Sequence, residues 1–170
     1  EASGNNFLFK LLGVEAVRVV PGGSNMLGEL EKLADELRAQ GRKPYVIPGG
    51  GSNTIGALGY VSCAQEILTQ TFEQGIKIDH IVTTSGSAGT HAGLLTGMIG
   101  NNANIPITGI SVNRKKDAQT DAVFNLATAT AQKLNLHNEI KREDVVVYDN
   151  YVGAGYSIPT DAMVEAVELL

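Results

Sequence analysis

The feature that most constrains the fold of this chain is a β-rich run, residues 78–84, that leads directly into six small residues at 85–90 and then into a helix opening near His91. In an open α/β sheet, ligands bind beyond the carboxyl ends of the strands, where a helix N-terminus offers free N–H groups and the positive end of its dipole. The hydroxyls of Ser87 and Thr90 can donate to phosphate oxygens. This segment therefore indicates either a phosphate site or, without a ligand, a glycine-rich turn capped by hydroxyls.

Helical and β-rich patterns alternate along the chain. Apolar spacing predicts helices at residues 26–37, 57–72, 92–99, 117–134 and 161–170, and strands at residues 45–47, 78–84, 105–112 and 145–148. Ser24 or Asn25 can cap the first helix and Asp117 the fourth. This alternation predicts an α/β fold with open, mostly parallel sheets.

A second glycine-rich stretch, residues 48–59, lies between a predicted strand and a predicted helix. Consecutive glycines can bend the backbone or let it approach a flat ligand, so an interdomain hinge and a binding loop both remain open. Neither glycine-rich segment has the spacing G-x-G-x-x-G, and the chain has no G-x-x-x-x-G-K-[ST] motif. These observations argue against a nucleotide phosphate held by one of the common loops and leave a phosphorylated cofactor open.

Two further side chains are candidates for chemistry. His91 adjoins the predicted phosphate loop, where it could act as a base, bind the anion or support other residues. Tyr156 follows a glycine in a loop and could move a proton, or it could simply pack with its hydroxyl hydrogen-bonded. His80 and His137 have no companion at metal-ligand spacing, so no metal site is predicted.

Charge and composition limit which partners and compartments are expected. The net charge is -5 and the basic residues are scattered, which argues against a nucleic-acid partner. No apolar run reaches the roughly 20 residues of a membrane span. The single cysteine, Cys63, suits a small core position in a helix and a reducing, cytoplasmic compartment. An apolar share of 43% and a charged share of 18% are typical of small-molecule enzymes.

Several segments, in their order and spacing, resemble the D-cysteine desulfhydrase and 1-aminocyclopropane-1-carboxylate deaminase family across nearly the whole chain. They are residues 44–53 (PYVIPGGGSN), 56–60 (GALGY), 85–94 (SGSAGTHAGL) and 155–156 (GY). Residues 48–53 and 151–153 are also similar to L-cysteate sulfo-lyases.

The resemblance implies the pyridoxal 5'-phosphate fold type II, similar to the tryptophan synthase β subunit, with the cofactor between two α/β domains. Residues 1–50 would be the later part of the small domain, and residues 51–170 part of the large, cofactor-binding domain. Residues 85–90 match the phosphate loop of the family, with Ser87, Ala88, Gly89 and Thr90 as its cofactor contacts. Tyr156 matches a tyrosine that faces the substrate. A homodimer is expected by the same resemblance.

The implied activity is that of a pyridoxal-phosphate-dependent carbon-sulfur lyase. D-Cysteine is the leading substrate, with L-cysteate and 1-aminocyclopropane-1-carboxylate as alternatives. The Schiff-base lysine of the family lies in a Gly-Asn-Lys motif, and no lysine here has that context. The chain begins without methionine and stops within a helical pattern, so we expect a fragment that is inactive alone. A non-catalytic chain that binds a phosphate or a partner is the alternative of another class.

Overall fold

The computed structural model describes residues 3–169, which divide into two compact units between Val46 and Ile47. The elements in chain order are α1 (Gly4–Leu11), α2 (Met26–Ala39), α3 (Ala57–Gln74), β1 (Ile81–Ser85), α4 (Gly89–Gly100), β2 (Ile107–Ser111), α5 (Lys116–Lys133), β3 (Val146–Tyr148) and α6 (Asp161–Glu168). Two short 3-10 turns lie at Gly49–Gly51 and Arg142–Asp144. None of the helices in this part of the chain has both the length and the apolar character that crossing a membrane requires.

The first unit contains α1 and α2. Asn25 caps α2, because its side chain accepts a hydrogen bond from the N–H of Gly28 at 3.2 Å. The predicted strand at residues 45–47 is wrong: the segment forms no strand pairing within residues 3–169. A strand requires a partner for its backbone groups, and the side chains of Tyr45 and Ile47 are largely exposed. The assignment of the two units to a small and a large domain stays a prediction.

The second unit contains a three-stranded parallel sheet with the order β1-β2-β3. Gly109 in the middle strand pairs with Thr83 on one side and with Val147 on the other. Because the strands are parallel, their carboxyl ends lie at one edge, and β1 and β2 end there at Ser85 and Ser111. The predicted parallel α/β arrangement is therefore present in this unit.

Helix α4 is the centre of the second unit, and nine of its twelve residues are buried. It packs against α3, α5 and the sheet. Ala92, Leu95 and Met98 of α4 join the apolar core together with side chains of α5 and the strands, among them Val123, Ala127, Ile107 and Val147. The partly buried Cys63 of α3 packs against the same core.

Two helix starts differ from the sequence prediction. Helix α4 begins at Gly89 rather than near residue 92, because small residues let the first turn form directly after the loop. Asp117 does not cap α5; it lies in the first turn, and the cap position is Lys115. A carboxylate in the first turn still interacts favourably with the helix dipole. The last residue of the predicted final helix, Leu170, lies outside the described residues.

The contact between α3 and α4 depends on glycine at Gly97. A Cβ atom there would lie 2.5 Å from the Cβ of Ala64 and 3.0 Å from the carbonyl oxygen of Val61. We expect Gly97→Ala to lower the free energy of unfolding by about 1–3 kcal/mol through overpacking. Gly59→Ala is the matched control, since no atom lies within 4 Å of its Cβ position, and it should raise stability by roughly 0.5–1 kcal/mol. Urea titration of both variants measures the difference, and equal effects would contradict this packing.

Candidate active site

A cavity of about 660 Å³ lies at the carboxyl edge of the sheet in the second unit. Ser87, Ala88, Thr90 and Tyr156 all line it, so four of the five residues predicted to bind the cofactor or to face the substrate come together there. Gly89 does not line the cavity. The remaining lining residues are Gly49, Gly50, Thr84, Ser85, Gly86, His91, Val112, Asn113 and Arg114.

The start of helix α4 has an unusual cap. Ala88 occupies the N-cap position with φ of 81°, in the left-handed region, and has no side chain that could bond the first N–H groups. The first hydrogen bond of the helix runs from the N–H of Ala92 to the carbonyl oxygen of Ala88. The N–H groups of residues 88–91 therefore have no acceptor within the helix. The N–H of Gly89 donates to Ser52 Oγ at 3.1 Å. The others give this edge of the cavity donor character suited to an anion.

The second glycine-rich stretch is hydrogen-bonded to the loop that precedes α4. Ser52 Oγ donates to Ser87 Oγ at 2.7 Å while it accepts from Gly89. Gly50 lies so close that a Cβ atom would overlap the Ser87 hydroxyl, and its φ is 68°. Both conditions favour glycine. The stretch is therefore part of this site, which the sequence alone left undecided between a hinge and a binding loop.

A chain of hydrogen bonds runs from the cavity surface into the core. Arg114 donates to Gln119 Oε1 at 3.0 Å, and Gln119 Nε2 donates to Ser85 Oγ at 2.8 Å. Ser85 Oγ lies 3.2 Å from His91 Nδ1. Because the arginine can only donate, it fixes which end of the Gln119 amide faces Ser85. Gln119, Ser85 and His91 are all at most 1% exposed.

The same bonds surround His91 with polar partners on one side of its ring. Ser85 Oγ accepts from Gln119 and is also the hydrogen-bond partner of His91 Nδ1. His91 Nε2 has no partner among the described residues. Burial lowers the pKa of His91 to about 4, so the ring is neutral at pH 7. A neutral, fully buried ring of this kind is suited to support the loop rather than to act as a solvent-exposed base.

Tyr156 reaches the cavity from the loop that follows β3. Its side chain is 70% exposed, and it also borders a neighbouring hollow of about 390 Å³ that Tyr151 lines. The next residue, Ser157, has φ of 62°, which makes the loop turn sharply. Tyr156 therefore faces an open site on the same side as the phosphate loop, where its phenol can meet a small molecule.

Sequence reasoning missed Ser52, Arg114 and Gln119 as members of this arrangement. Ser52 lies within the second glycine-rich stretch, but no local pattern marks it as a partner of Ser87. A usable signal existed for Arg114, because it follows β2 closely, as Ser87 follows β1, and parallel strands end at a shared edge. Gln119 lies on α5, and no pattern in the sequence indicates that this polar side chain is buried.

Comparisons with known proteins identify the family. Residues 1–170 match the family described as pyridoxal-phosphate dependent enzyme. A solved structure described as an ACC deaminase homologue is 39% identical and superposes with a TM-score of 0.76 over 88% of this chain. The match covers 44% of that structure, so the chain spans less than half of its length. This chain belongs to the pyridoxal-phosphate-dependent enzyme family and has its fold type II architecture, as the resemblance implied.

The cofactor of this family, pyridoxal phosphate, fits the residues present. Its phosphate is a dianion, and the start of α4 offers backbone N–H groups that the Ala88 side chain cannot cap, beside two hydroxyls, Ser87 and Thr90. Within residues 3–169, no carboxylate lines the cavity. Ser87, Ala88, Gly89 and Thr90 remain predicted cofactor contacts on this basis. Of these, Gly89 does not line the cavity, and its N–H already donates to Ser52 Oγ, so in this arrangement it has no donor left for a phosphate.

The buried His91 should make stability depend on pH. Its folded-state pKa of about 4 is below the ordinary value of 6.5, so between these values the unfolded chain binds a proton that the folded chain does not. We therefore expect the free energy of unfolding to fall as the pH decreases from about 6.5 to 4, by roughly 3 kcal/mol from this group. Below pH 4 the contribution levels off.

Chemical denaturation of wild type and His91→Gln across pH 4–7 checks this expectation. The variant should show a shallower pH dependence over that window, because the titrating group is gone. His137→Gln is the control, since His137 is exposed, and it should keep the wild-type slope. An unchanged slope in His91→Gln would contradict the assignment of a buried, neutral imidazole.

Proposed function

We propose that the full-length protein of this pyridoxal-phosphate-dependent family member is a lyase that eliminates a β-substituent from a small amino acid. D-Cysteine is the leading substrate, and its products are hydrogen sulfide, pyruvate and ammonia. The observation that supports this most is one cavity bordered both by a helix start whose N-cap residue, Ala88, has no capping side chain and by the phenol of Tyr156. The first suits the phosphate of the cofactor, and the second suits a substrate held beside it.

The residues of this chain would do three things in such a reaction. The loop at 87–90 would fix the phosphate, so that the cofactor ring keeps its position during turnover. Ser52 and Gly50 would keep that loop rigid through the contact with Ser87. Pyridoxal phosphate, when bound, supplies an electron sink for negative charge that develops at Cα of an amino acid.

Tyr156 would place the substrate or move a proton at its phenolic oxygen. The exposure of this side chain to the cavity leaves its hydroxyl free to meet a ligand. A proton is removed from Cα and one must reach the products, so a phenol at this edge has a chemical role available to it.

Replacing Tyr156 with Phe in the full-length protein should therefore lower kcat by about 10²–10⁴-fold if the phenol moves a proton. A rise in KM with little change in kcat would instead assign it to substrate placement. The measurement is steady-state pyruvate formation from D-cysteine, with Tyr45→Phe as a control in the other compact unit. Unchanged kcat and KM in Tyr156→Phe would contradict both roles.

The substrate is tested by the products. D-Cysteine would yield sulfide, L-cysteate would yield sulfite by the same β-elimination, and 1-aminocyclopropane-1-carboxylate would yield 2-oxobutanoate and ammonia. Comparing kcat/KM for the three with the full-length protein ranks them directly. The likeness to an ACC deaminase homologue, at 39% identity, supports 1-aminocyclopropane-1-carboxylate as an alternative substrate. Sulfide formation at the highest kcat/KM supports the leading proposal, and preference for either other substrate replaces it.

A further inference from the structure

Arg114 differs from the other arginines in its partners. Arg18, Arg38, Arg42 and Arg142 each form an ion pair with an Asp or Glu side chain, at 2.6–2.8 Å. Among residues 3–169, Arg114 is the arginine that has no carboxylate partner. It lines the cavity described above, and none of the described Asp or Glu residues contributes to that lining. Its charge is therefore not neutralised by any side chain of this site.

The position of Arg114 is fixed by bonds that use only one of its nitrogens. Nη1 donates to the carbonyl oxygen of Gly86 at 2.8 Å and to Gln119 Oε1 at 3.0 Å. The buried Ser111 hydroxyl donates to the main-chain oxygen of Arg114 at 2.6 Å, which holds the turn between β2 and α5. The guanidinium carries five N–H donors in total. The N–H groups of Nε and Nη2 have no partner among the described residues.

The bond to Gly86 places this cation beside the phosphate loop. Gly86 immediately precedes Ser87 and Ala88, whose neighbours begin α4. A guanidinium is planar and always charged, and it binds phosphate through two parallel N–H···O bonds. The positive end of a helix and an unpaired arginine at one cavity are complementary to a dianion rather than to a singly charged group.

We propose that Arg114 is a ligand of the cofactor phosphate, supplementing the backbone and hydroxyl donors of residues 87–90. The proposal rests on the cofactor site described above and adds a cationic residue to it. Gln119 is a positioning residue in this arrangement, because it orients Arg114 without lining the cavity. The other anion that the same chemistry could serve is the carboxylate of the substrate.

Equilibrium binding to the full-length apoprotein tests this without any turnover. Pyridoxal phosphate and pyridoxal, which lacks the phosphate, are titrated against wild type, Arg114→Gln, Arg114→Lys and Lys116→Gln. Lys116→Gln is the matched control. Lys116 lies two positions after Arg114 in the chain and does not line the cavity, so this variant removes the same charge outside the site. Thermal unfolding of each variant shows that it is folded.

Arg114→Gln should weaken pyridoxal phosphate about 10- to 100-fold, the range of a lost charge-assisted pair, and leave pyridoxal unchanged. Arg114→Lys should recover part of that loss, and Lys116→Gln should change binding less than 3-fold. Inorganic phosphate should compete with pyridoxal phosphate more weakly in Arg114→Gln than in wild type.

Unaltered pyridoxal phosphate affinity in folded Arg114→Gln would overturn the proposal, and a weaker affinity for substrate alone would assign the arginine to the substrate carboxylate instead. An equal loss in Lys116→Gln would also overturn it, because general electrostatics would then explain the effect. Failure of the wild-type protein to bind pyridoxal phosphate would refute the proposed function itself, which keeps the two failures distinguishable.

Discussion

The buried hydrogen-bond chain from Arg114 through Gln119 and Ser85 to His91 is the constraint on which the site depends. It joins the end of β1, the first turn of α4 and the first turn of α5 in one network. Buried polar groups are costly unless they are paired, so these three elements have a single favourable arrangement. That arrangement leaves the start of α4 facing the cavity.

The middle strand has a glycine, Gly109, next to this hydrogen-bond network. A Cβ atom at Gly109 would overlap the His91 imidazole and lie 3.0 Å from the Cβ of Ser85. Glycine in the middle strand therefore makes room for a histidine that the core would otherwise exclude. The result is a helix start that is tied to the interior by hydrogen bonds while residues of its first turn line the cavity, which is the preorganisation that an anion site requires.

Much of this arrangement could be predicted from the sequence. The alternation of β-rich and helical patterns predicted the parallel sheet, and the small residues at 85–90 predicted a turn from a strand into a helix start, with or without a phosphate. The family resemblance predicted the fold type and the cofactor, and both are supported by the family match and the solved relative. Local signals sufficed here because the strand, the loop and the helix are consecutive in the chain.

What could not be predicted depends on contacts between distant residues. Ser52 meets Ser87 across 35 positions, and Gln119 meets Ser85 across 34. No periodicity in the sequence encodes either pair. At residues 45–47 the sequence predicted a strand that the structure does not contain. The composition of this segment favours a strand, but a strand also requires a neighbouring chain segment to pair with.

A crystal structure of the full-length protein with pyridoxal phosphate would show directly whether the loop at residues 87–90 binds the phosphate of the cofactor. We expect phosphate oxygens within hydrogen-bond distance of the backbone N–H groups at the start of α4 and of the Ser87 or Thr90 hydroxyl. A phosphate bound away from this helix start, with the loop contacting only protein, would contradict it.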